Sequence, residues 1–302
     1  MKPRFSIFTP TYNRGYILNN LYLSLRRQSF TDFEWIIVDD GSEDETKQLI
    51  QAWKRECKEF KIIYKWVKNG GKPRAINIGV NLAKGKYFLI VDSDDYLKDD
   101  ALEKMNCWCS EIDNLNDFIG VGAARGYPNG RYLKNIPNVN EKGYVDATNL
   151  ERDKYNLDVD MCEAYKLNIF KEFPMATWPG EKFAPEQIAL NDIALAGYKI
   201  RWHKDIIYIC EYLEDGLTKG SKKLEKLNPM GYAMMYNHKL LYDIPKREKL
   251  HAACQHIALS IYGGHLNYIL KSNNLLYTIY MFPFGLILSI RRAIQYRSIK
   301  NA

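Results

Sequence analysis

Residues 87–95 read YFLIVDSDD, and this stretch decides the fold class. A short apolar run that stops abruptly at turn-forming polar residues is typical of a buried strand in a parallel sheet. Burying the polar residues Asp92, Ser93, Asp94 and Asp95 costs stability unless something satisfies them. A divalent cation with phosphate oxygens would do so, and carboxylates suit Mg²⁺ or Mn²⁺. The alternative is an Asp-rich turn that caps the following helix.

Two earlier strand-like runs end in the same way. Residues 5–8 lead into TPTYNR at 9–14, and residues 33–38 stop at DDGS at 39–42. Helices are expected over residues 17–28 and 72–83, and a third helix is expected from Asp44 onward with Ser42 as its N-cap. A further strand is expected over residues 61–67. This alternation predicts right-handed βαβ units and a mainly parallel sheet.

The polar residues after these strands are expected to meet in one crevice, because ligands bind beyond the carboxyl ends of strands in open α/β sheets. Tyr12 could stack on a nucleobase, and Asp39 could accept a hydrogen bond from a base N–H or a ribose hydroxyl. Each segment alone also fits a plain turn with a cap. The chain has no G-x-G-x-x-G and no Walker A motif, so neither a dinucleotide site nor a P-loop is predicted.

The composition and charge of the chain limit the classes of partner that it is expected to bind. The chain is 46% hydrophobic and 26% charged, as globular proteins are, and its formal net charge is +7. That charge suits a phosphorylated substrate or an anionic membrane surface, whereas no motif supports nucleic-acid binding. None of the six cysteines forms a C-x-x-C pair, so no zinc site is expected. The N-terminus lacks a signal-peptide pattern, which predicts a cytoplasmic protein with reduced thiols.

The C-terminal region has a different character. No residue between Lys271 and Arg291 is charged, and this length is borderline for a span of ~20 residues. Flanking arginines and tyrosines favour an interfacial anchor at the inner face of the membrane. The alternative is a buried helix pair that packs on the rest of the protein.

The segments at 9–14, 38–44 and 91–95, with NGGKPRAIN at 69–77, resemble the signature of family 2 glycosyltransferases of the GT-A fold. The resemblance is specific over residues 4–100, weaker over 181–202 and general beyond. It implies an α/β fold, Rossmann-like, with a mixed, mainly parallel sheet flanked by helices and a C-terminal helical extension. The expected domains are a catalytic domain at 1–218, divided into a nucleotide-sugar-binding half at 1–110 and an acceptor-binding half at 111–218, and a basic, helical, membrane-associated segment at 219–302.

The resemblance also implies roles at the donor site. Asp94 would ligate Mn²⁺ or Mg²⁺ directly, with Asp92 approaching both the metal and the ribose as the first acid of a DxD motif. Asp95 would orient or cap. The residues that the resemblance assigns to nucleotide-sugar binding are Thr9, Pro10, Tyr12, Arg14, Asp39, Lys72, Arg74, Asp92 and Ser93.

A catalytic base is expected later in the chain, since direct displacement needs a carboxylate that takes the acceptor proton. Glu186 fits the family position, before a helix that Pro185 would open. Gln187 stands where relatives carry a second acid, so Glu181 and Asp192 remain rivals. Alternatively, Glu186 only favours the helix dipole.

The expected activity is therefore inverting transfer of a sugar from a nucleoside diphosphate, with UDP favoured, to a glycan or lipid-linked glycan acceptor in bacterial surface polysaccharide synthesis. One alternative is a non-catalytic scaffold that binds sugar nucleotides or glycans. Another is a nucleotidyltransferase, which would need a glycine-rich N-terminal loop that residues 9–14 lack.

Overall fold

The computed structural model describes residues 2–210 and 221–298. The strands are β1 (Phe5–Thr11), β2 (Phe33–Asp39), β3 (Lys61–Trp66), β4 (Tyr87–Ile90), β5 (Tyr96–Leu97), β6 (Phe118–Gly126), β7 (Tyr144–Ala147), β8 (Met161–Lys166) and β9 (Lys199–Ile209). The helices are α1 (Leu18–Arg26), α2 (Thr46–Glu56), α3 (Lys72–Leu82), α4 (Ala101–Ile112), α5 (Leu167–Phe170), α6 (Gln187–Leu195), α7 (Ser221–Leu227), α8 (Pro229–Lys239), α9 (Lys246–Tyr262), α10 (Leu266–Ile269) and α11 (Leu275–Arg297), with a 3-10 helix over Asn149–Tyr155.

The strands form one mixed sheet in the order β3-β2-β1-β4-β8-β6-β9-β5, and β7 pairs with β9. Within residues 2–210, β1, β2, β3, β4, β6 and β9 run in one direction, and the remaining three strands run against them. The predicted mixed, mainly parallel sheet flanked by helices is confirmed, as is the C-terminal run of helices.

Strands β1 and β2 carry apolar side chains on both faces, because helices cover the sheet on both sides. Trp35 of β2 is fully buried and stacks with Tyr22 of α1 and Trp53 of α2. On the other face, Phe8 lies against Gly79 of α3, where an added Cβ would come within 2.2 Å of the ring. Burial on both faces explains why these strands read as continuous apolar runs.

Two local predictions are wrong. Helix α2 begins at Thr46 rather than after Ser42, and the Ser42 hydroxyl instead accepts a hydrogen bond from the Asn13 N–H at 2.9 Å. The turn signals over residues 120–145 predict a long irregular or hairpin excursion, but this segment begins within strand β6, which runs to Gly126. Gly120 and Gly122 allow its neighbours to approach, since a Cβ at Gly120 would lie 2.2 Å from the Ala164 carbonyl oxygen.

The chain divides into two compact units. The first comprises Met1–Pro174 and Leu190–Leu213, and the second comprises Met175–Ala189 and Glu214–Ala302. The predicted domain boundary at residue 218 lies outside the described residues and stays a prediction. No helix in the described ranges is both long enough and apolar enough to cross a membrane.

A buried polar cluster joins three strands at the amino-terminal edge of the sheet. The Ser6 hydroxyl donates to a carboxylate oxygen of Glu34 at 2.7 Å and accepts from the Gly85 N–H at 2.8 Å. The same Glu34 oxygen accepts from the Lys84 N–H at 2.8 Å. Ser6 therefore connects β1 and β2 to the turn that leads into β4.

Replacing Ser6 by Ala should lower the free energy of unfolding by about 1–3 kcal/mol, since it leaves buried partners unsatisfied. Urea unfolding followed by far-UV circular dichroism measures this change. Ser29→Ala is the matched control, because it removes an exposed hydroxyl whose partner is Glu103, and it should change stability by less than ~0.5 kcal/mol. Equal effects of the two variants would contradict the role given to Ser6.

Candidate active site

Four polar residues follow β4 at the carboxyl end of the parallel strands. Ser93 and Asp95 are buried, whereas the side chain of Asp92 keeps 23% of its surface exposed. The turn is closed by the Asp95 N–H, which donates to the Asp92 carbonyl at 3.3 Å. The sequence-predicted DxD acids therefore stand side by side at the edge of the sheet where ligands of α/β proteins bind.

Asp92 lies between two cations. Its Oδ1 is 2.8 Å from the Lys72 ammonium, and its Oδ2 is 3.6 Å from an Nη1 of Arg125. Burial acts to raise the pKa of Asp92, but the positive charges of Lys72 and Arg125 outweigh it, and the pKa is lowered. Asp92 is therefore an ionised carboxylate at neutral pH.

Arg125 of β6 is the residue that sequence reasoning missed. Its Nε donates to the Met161 carbonyl at 2.8 Å, and its guanidinium lies over the ring of Tyr208 at 4.1 Å from the centroid. Its Nη1 faces both Asp92 and Asp95, the latter at 3.9 Å. The sequence shows Arg125 only as a cation at the end of a run of small residues. A solvated surface cation would give the same pattern, so the sequence does not mark Arg125 as part of the site.

Tyr208 of β9 holds the acidic turn in place. Its hydroxyl accepts a hydrogen bond from the Asp92 N–H at 2.9 Å and donates to Asp95 Oδ2 at 2.8 Å. Burial, followed by the charge of Asp92, raises the pKa of Asp95 to about 7 despite this hydrogen bond. Tyr208 therefore fixes the orientation of the Asp95 carboxyl group, as a positioning role for Asp95 requires.

The carboxylates fit a hard divalent cation. Burial and the neighbouring charge of Asp92 raise the pKa of Asp94, so a cation at this carboxylate would relieve both effects. No cluster of three or more His, Cys, Asp or Glu side chains forms a metal cage within residues 2–210 and 221–298. A role for Asp94 and Asp92 as metal ligands stays a prediction.

Asp39 ends β2 as a fully buried carboxylate with fixed oxygens. Oδ1 accepts from the Ser42 N–H at 2.7 Å, and Oδ2 accepts from the Tyr64 hydroxyl at 2.6 Å. Burial, followed by the hydrogen bond to Asp39, raises the pKa of Tyr64, so the phenol stays a donor. Both oxygens of Asp39 therefore have partners within the protein, and the expected contact with a base N–H stays a prediction.

Asp40 performs a task that was not predicted. Its two carboxylate oxygens accept from the N–H groups of Gly70 and Gly71 at 2.7 and 2.8 Å. Gly71 has a φ of 90°, which favours glycine, and α3 begins at the next residue, Lys72. Asp40 therefore fixes the loop that brings the Lys72 ammonium to Asp92.

Some side chains at the end of β1 are buried in the fold, whereas others are exposed to solvent. The Thr9 hydroxyl is buried and accepts from the Trp35 indole N–H at 3.0 Å, whereas Tyr12 is 49% exposed. Arg14 donates to the Tyr16 hydroxyl, and its charge acts to lower the pKa of Asp94. Pro10 is partly exposed in the same segment. A role for these side chains in donor binding stays a prediction.

Comparison with known proteins identifies the family. The profile of Glycosyl transferase family 2 matches residues 6–173, which is more than half of the chain. The chain belongs to this family. The fold is shared with the structure of Staphylococcus aureus TarS 1-349 in complex with UDP-GlcNAc, at a TM-score of 0.64 and 19% identity, covering 95% of this chain and 81% of that one.

Curated relatives are glycosyltransferases. The poly(ribitol-phosphate) beta-N-acetylglucosaminyltransferase TarS of S. aureus is 31% identical over 45% of this chain and 24% of its own length. The poly(ribitol-phosphate) beta-glucosyltransferase of Bacillus spizizenii is 28% identical over 70% and 33%. The putative teichuronic acid biosynthesis glycosyltransferase TuaG of Bacillus subtilis is 38% identical over 44% and 53%. The chain thus spans about a quarter to a half of the length of these relatives.

The three base candidates of this family 2 chain have different surroundings. Glu181 accepts from the N–H groups of Met230 and Gly231, each at 2.8 Å, and so caps the start of α8. Glu186 is partly exposed and stands immediately before α6, so Pro185 precedes the helix instead of opening it. Asp192 lies within α6. Glu181 therefore has a structural task, and the choice of the base among the three carboxylates stays a prediction.

The raised pKa of Asp95 predicts a pH-dependent stability. Between the ordinary value of 3.8 and about 7, the folded chain holds a proton that the unfolded chain has lost, so the free energy of unfolding falls as pH rises. The full shift corresponds to at most about 4 kcal/mol, reached above pH ~7. Asp95→Asn, which cannot ionise and can still accept from Tyr208, should flatten this slope.

Urea unfolding at several pH values in excess chelator measures the effect. Asp153→Asn removes an exposed carboxylate and should keep the wild-type slope. A wild-type slope in Asp95→Asn would show that Asp95 titrates at its ordinary pKa in the folded protein.

Proposed function

We propose that this chain is an inverting glycosyltransferase that moves a sugar from a nucleoside diphosphate donor to a glycan or lipid-linked glycan. The observation that carries the proposal is the acidic turn, in which Asp92 is paired with Lys72 and Arg125 while Asp94 has a raised pKa. This turn lies at the ligand-binding edge of the sheet in a member of glycosyltransferase family 2.

The donor is proposed to be a UDP-sugar. Asp39 would accept the N–H of the uracil ring, since its two oxygens are held in place by Ser42 and Tyr64. Tyr12, half exposed, would cover the base, and Lys72 would neutralise charge on the diphosphate. Arg14, Arg74 and Ser93 would complete the donor site. Among relatives, the TarS structure contains UDP-GlcNAc, which supports this nucleotide.

We propose Asp94 as the direct ligand of Mn²⁺ or Mg²⁺, with Asp92 beside it. When bound, the ion would stabilise the negative charge that the leaving diphosphate gains. Arg125 and Tyr208 would keep Asp92 ionised and the turn fixed, so that little reorganisation is needed at the moment of reaction. A mannosyltransferase of similar fold from Pyrobaculum calidifontis, at a TM-score of 0.58, was solved with GDP-Man and Mn²⁺.

Glu186 is proposed as the general base. A carboxylate that takes the proton from the acceptor hydroxyl makes that oxygen a nucleophile toward the anomeric carbon, on the face opposite the diphosphate. The carbon–oxygen bond to the diphosphate breaks as the new bond forms, so the configuration inverts. Its partial exposure and its place outside the α8 cap favour Glu186 over Glu181.

The acceptor is proposed to be a bacterial surface polysaccharide or its lipid-linked precursor, in keeping with the names of the relatives. The protein would work in the cytoplasm, at the inner face of the membrane. The net charge of +7 suits an anionic membrane surface of this kind.

Hydrolysis and transfer assays across UDP-, GDP- and dTDP-sugars, with Mn²⁺ and with chelator, test the donor and the metal. One UDP-sugar should turn over only with metal, and Asp94→Asn should lower that turnover by at least about 100-fold, since a metal contributes several kcal/mol. Asp99→Asn, an exposed acid paired with Arg27, should stay at the wild-type rate. Full activity of the wild type in chelator would refute the metal role.

Glu186→Gln should lower kcat by about 10²–10⁴-fold and leave donor binding unchanged, as loss of a general base does. Glu181→Gln should instead lower the melting temperature with a smaller effect on kcat, because it weakens the α8 cap. Transfer kinetics and UDP titration calorimetry separate the two effects. If Asp192→Asn loses turnover and Glu186→Gln keeps it, Asp192 is the base.

A further inference from the structure

Helix α11 is attached to the second unit by one face. The side chains buried on that face are Thr278, Ser289, Arg292 and Tyr296, with Gly285 among them. Gly285 lets α11 approach α9 closely, since a Cβ there would lie 2.6 Å from the side chain of Ile257. Arg292 lies 3.4 Å from a carboxylate oxygen of Glu225, and the Tyr296 hydroxyl donates to the same oxygen. These contacts fix the rotation of the helix.

The opposite face of α11 is apolar and exposed. We call it the apolar stripe; its members are Leu276, Ile279, Tyr280, Ile287, Ile290 and Ile294, with exposures from 53% to 82%. At ~100° per residue these positions fall within an arc of about 100° along the whole helix. Single exposed apolar residues are ordinary, whereas a continuous patch of this size marks an interaction surface.

The charges around the stripe indicate what covers it. No Asp or Glu occurs anywhere from Lys249 to Ala302. Exposed cations stand at both ends of the stripe, with Lys271 before the helix and Arg291 and Arg297 at the edges of its last two turns. Long cationic side chains beside apolar surface extend toward anionic headgroups while their stems stay in the apolar layer.

We propose that the apolar stripe inserts into the interfacial layer of an anionic bilayer, with α11 lying along the membrane. This inference rests on the proposed function, in which the acceptor lies at the membrane. It adds that insertion of apolar side chains, rather than charge alone, holds the protein at the membrane surface. A second copy on the stripe would bring like charges together without an acid in this segment to pair with them. A spanning orientation does not fit, because the buried face is committed to Glu225 and α9.

Co-sedimentation with vesicles tests the proposal. The full chain should bind vesicles of phosphatidylcholine and phosphatidylglycerol in equal parts more tightly than pure phosphatidylcholine, and high salt should weaken this binding without abolishing it. The double variant Ile287→Glu/Ile290→Glu should lose at least about tenfold in affinity. Ile136→Glu changes an isoleucine of 60% exposure in the first unit and should bind as the wild type does.

Three results would overturn the proposal: wild-type binding by the double variant, no binding by the wild type, or complete release by salt. A wild-type dimer in analytical ultracentrifugation that the double variant turns into a monomer would assign the stripe to a second copy and also overturn it. Hydrolysis of a UDP-sugar without vesicles reports the proposed function separately. A chain that inserts but ignores every sugar nucleotide would overturn only that function.

Discussion

A largely buried arginine between two carboxylates is the constraint on which the candidate site depends. Arg125 cannot give up its proton in a protein, so it supplies a permanent positive charge beside Asp92 and Asp95. Removing one partner of such a buried group leaves an uncompensated charge, which costs about 3–5 kcal/mol. Tyr208 lies under the guanidinium and also binds the backbone of the acidic turn. Strands β6 and β9 thereby determine the shape of a turn that belongs to β4.

The carboxylates at this edge of the sheet differ in their contacts and therefore in the roles they can have. Asp40 accepts from the N–H groups of Gly70 and Gly71 and so places Lys72, whereas Asp39 accepts from the Ser42 N–H and the Tyr64 hydroxyl at the end of β2. Asp92 is compensated by cations, whereas burial, followed by the charge of Asp92, raises the pKa values of both Asp94 and Asp95. Burial of acids is tolerable here because each one has a partner or would gain one from a bound cation.

The sequence predicts the first four strands of the sheet well and the later strands poorly, for physical reasons. Strands β1, β2 and β4 are buried on both faces, so they read as apolar runs, and their terminal acids are visible. Strand β6 reads as irregular because close packing against β8 and β9 requires glycine and alanine, which carry little strand signal. Arg125 was missed with it. Ser42 looked like a helix cap, but its hydroxyl bonds to a distant loop residue, Asn13, which no local pattern reveals.

Electron paramagnetic resonance of Mn²⁺ tests the proposed metal and donor site most directly. If Asp94 and the donor diphosphate share the ion, the signal of free Mn²⁺ should fall when wild-type protein and UDP are both present. It should change far less with protein alone or with Asp94→Asn and UDP. The same loss of free signal with Asp94→Asn, or none with the wild type, would contradict the assignment of the acidic turn as the site where metal and donor meet.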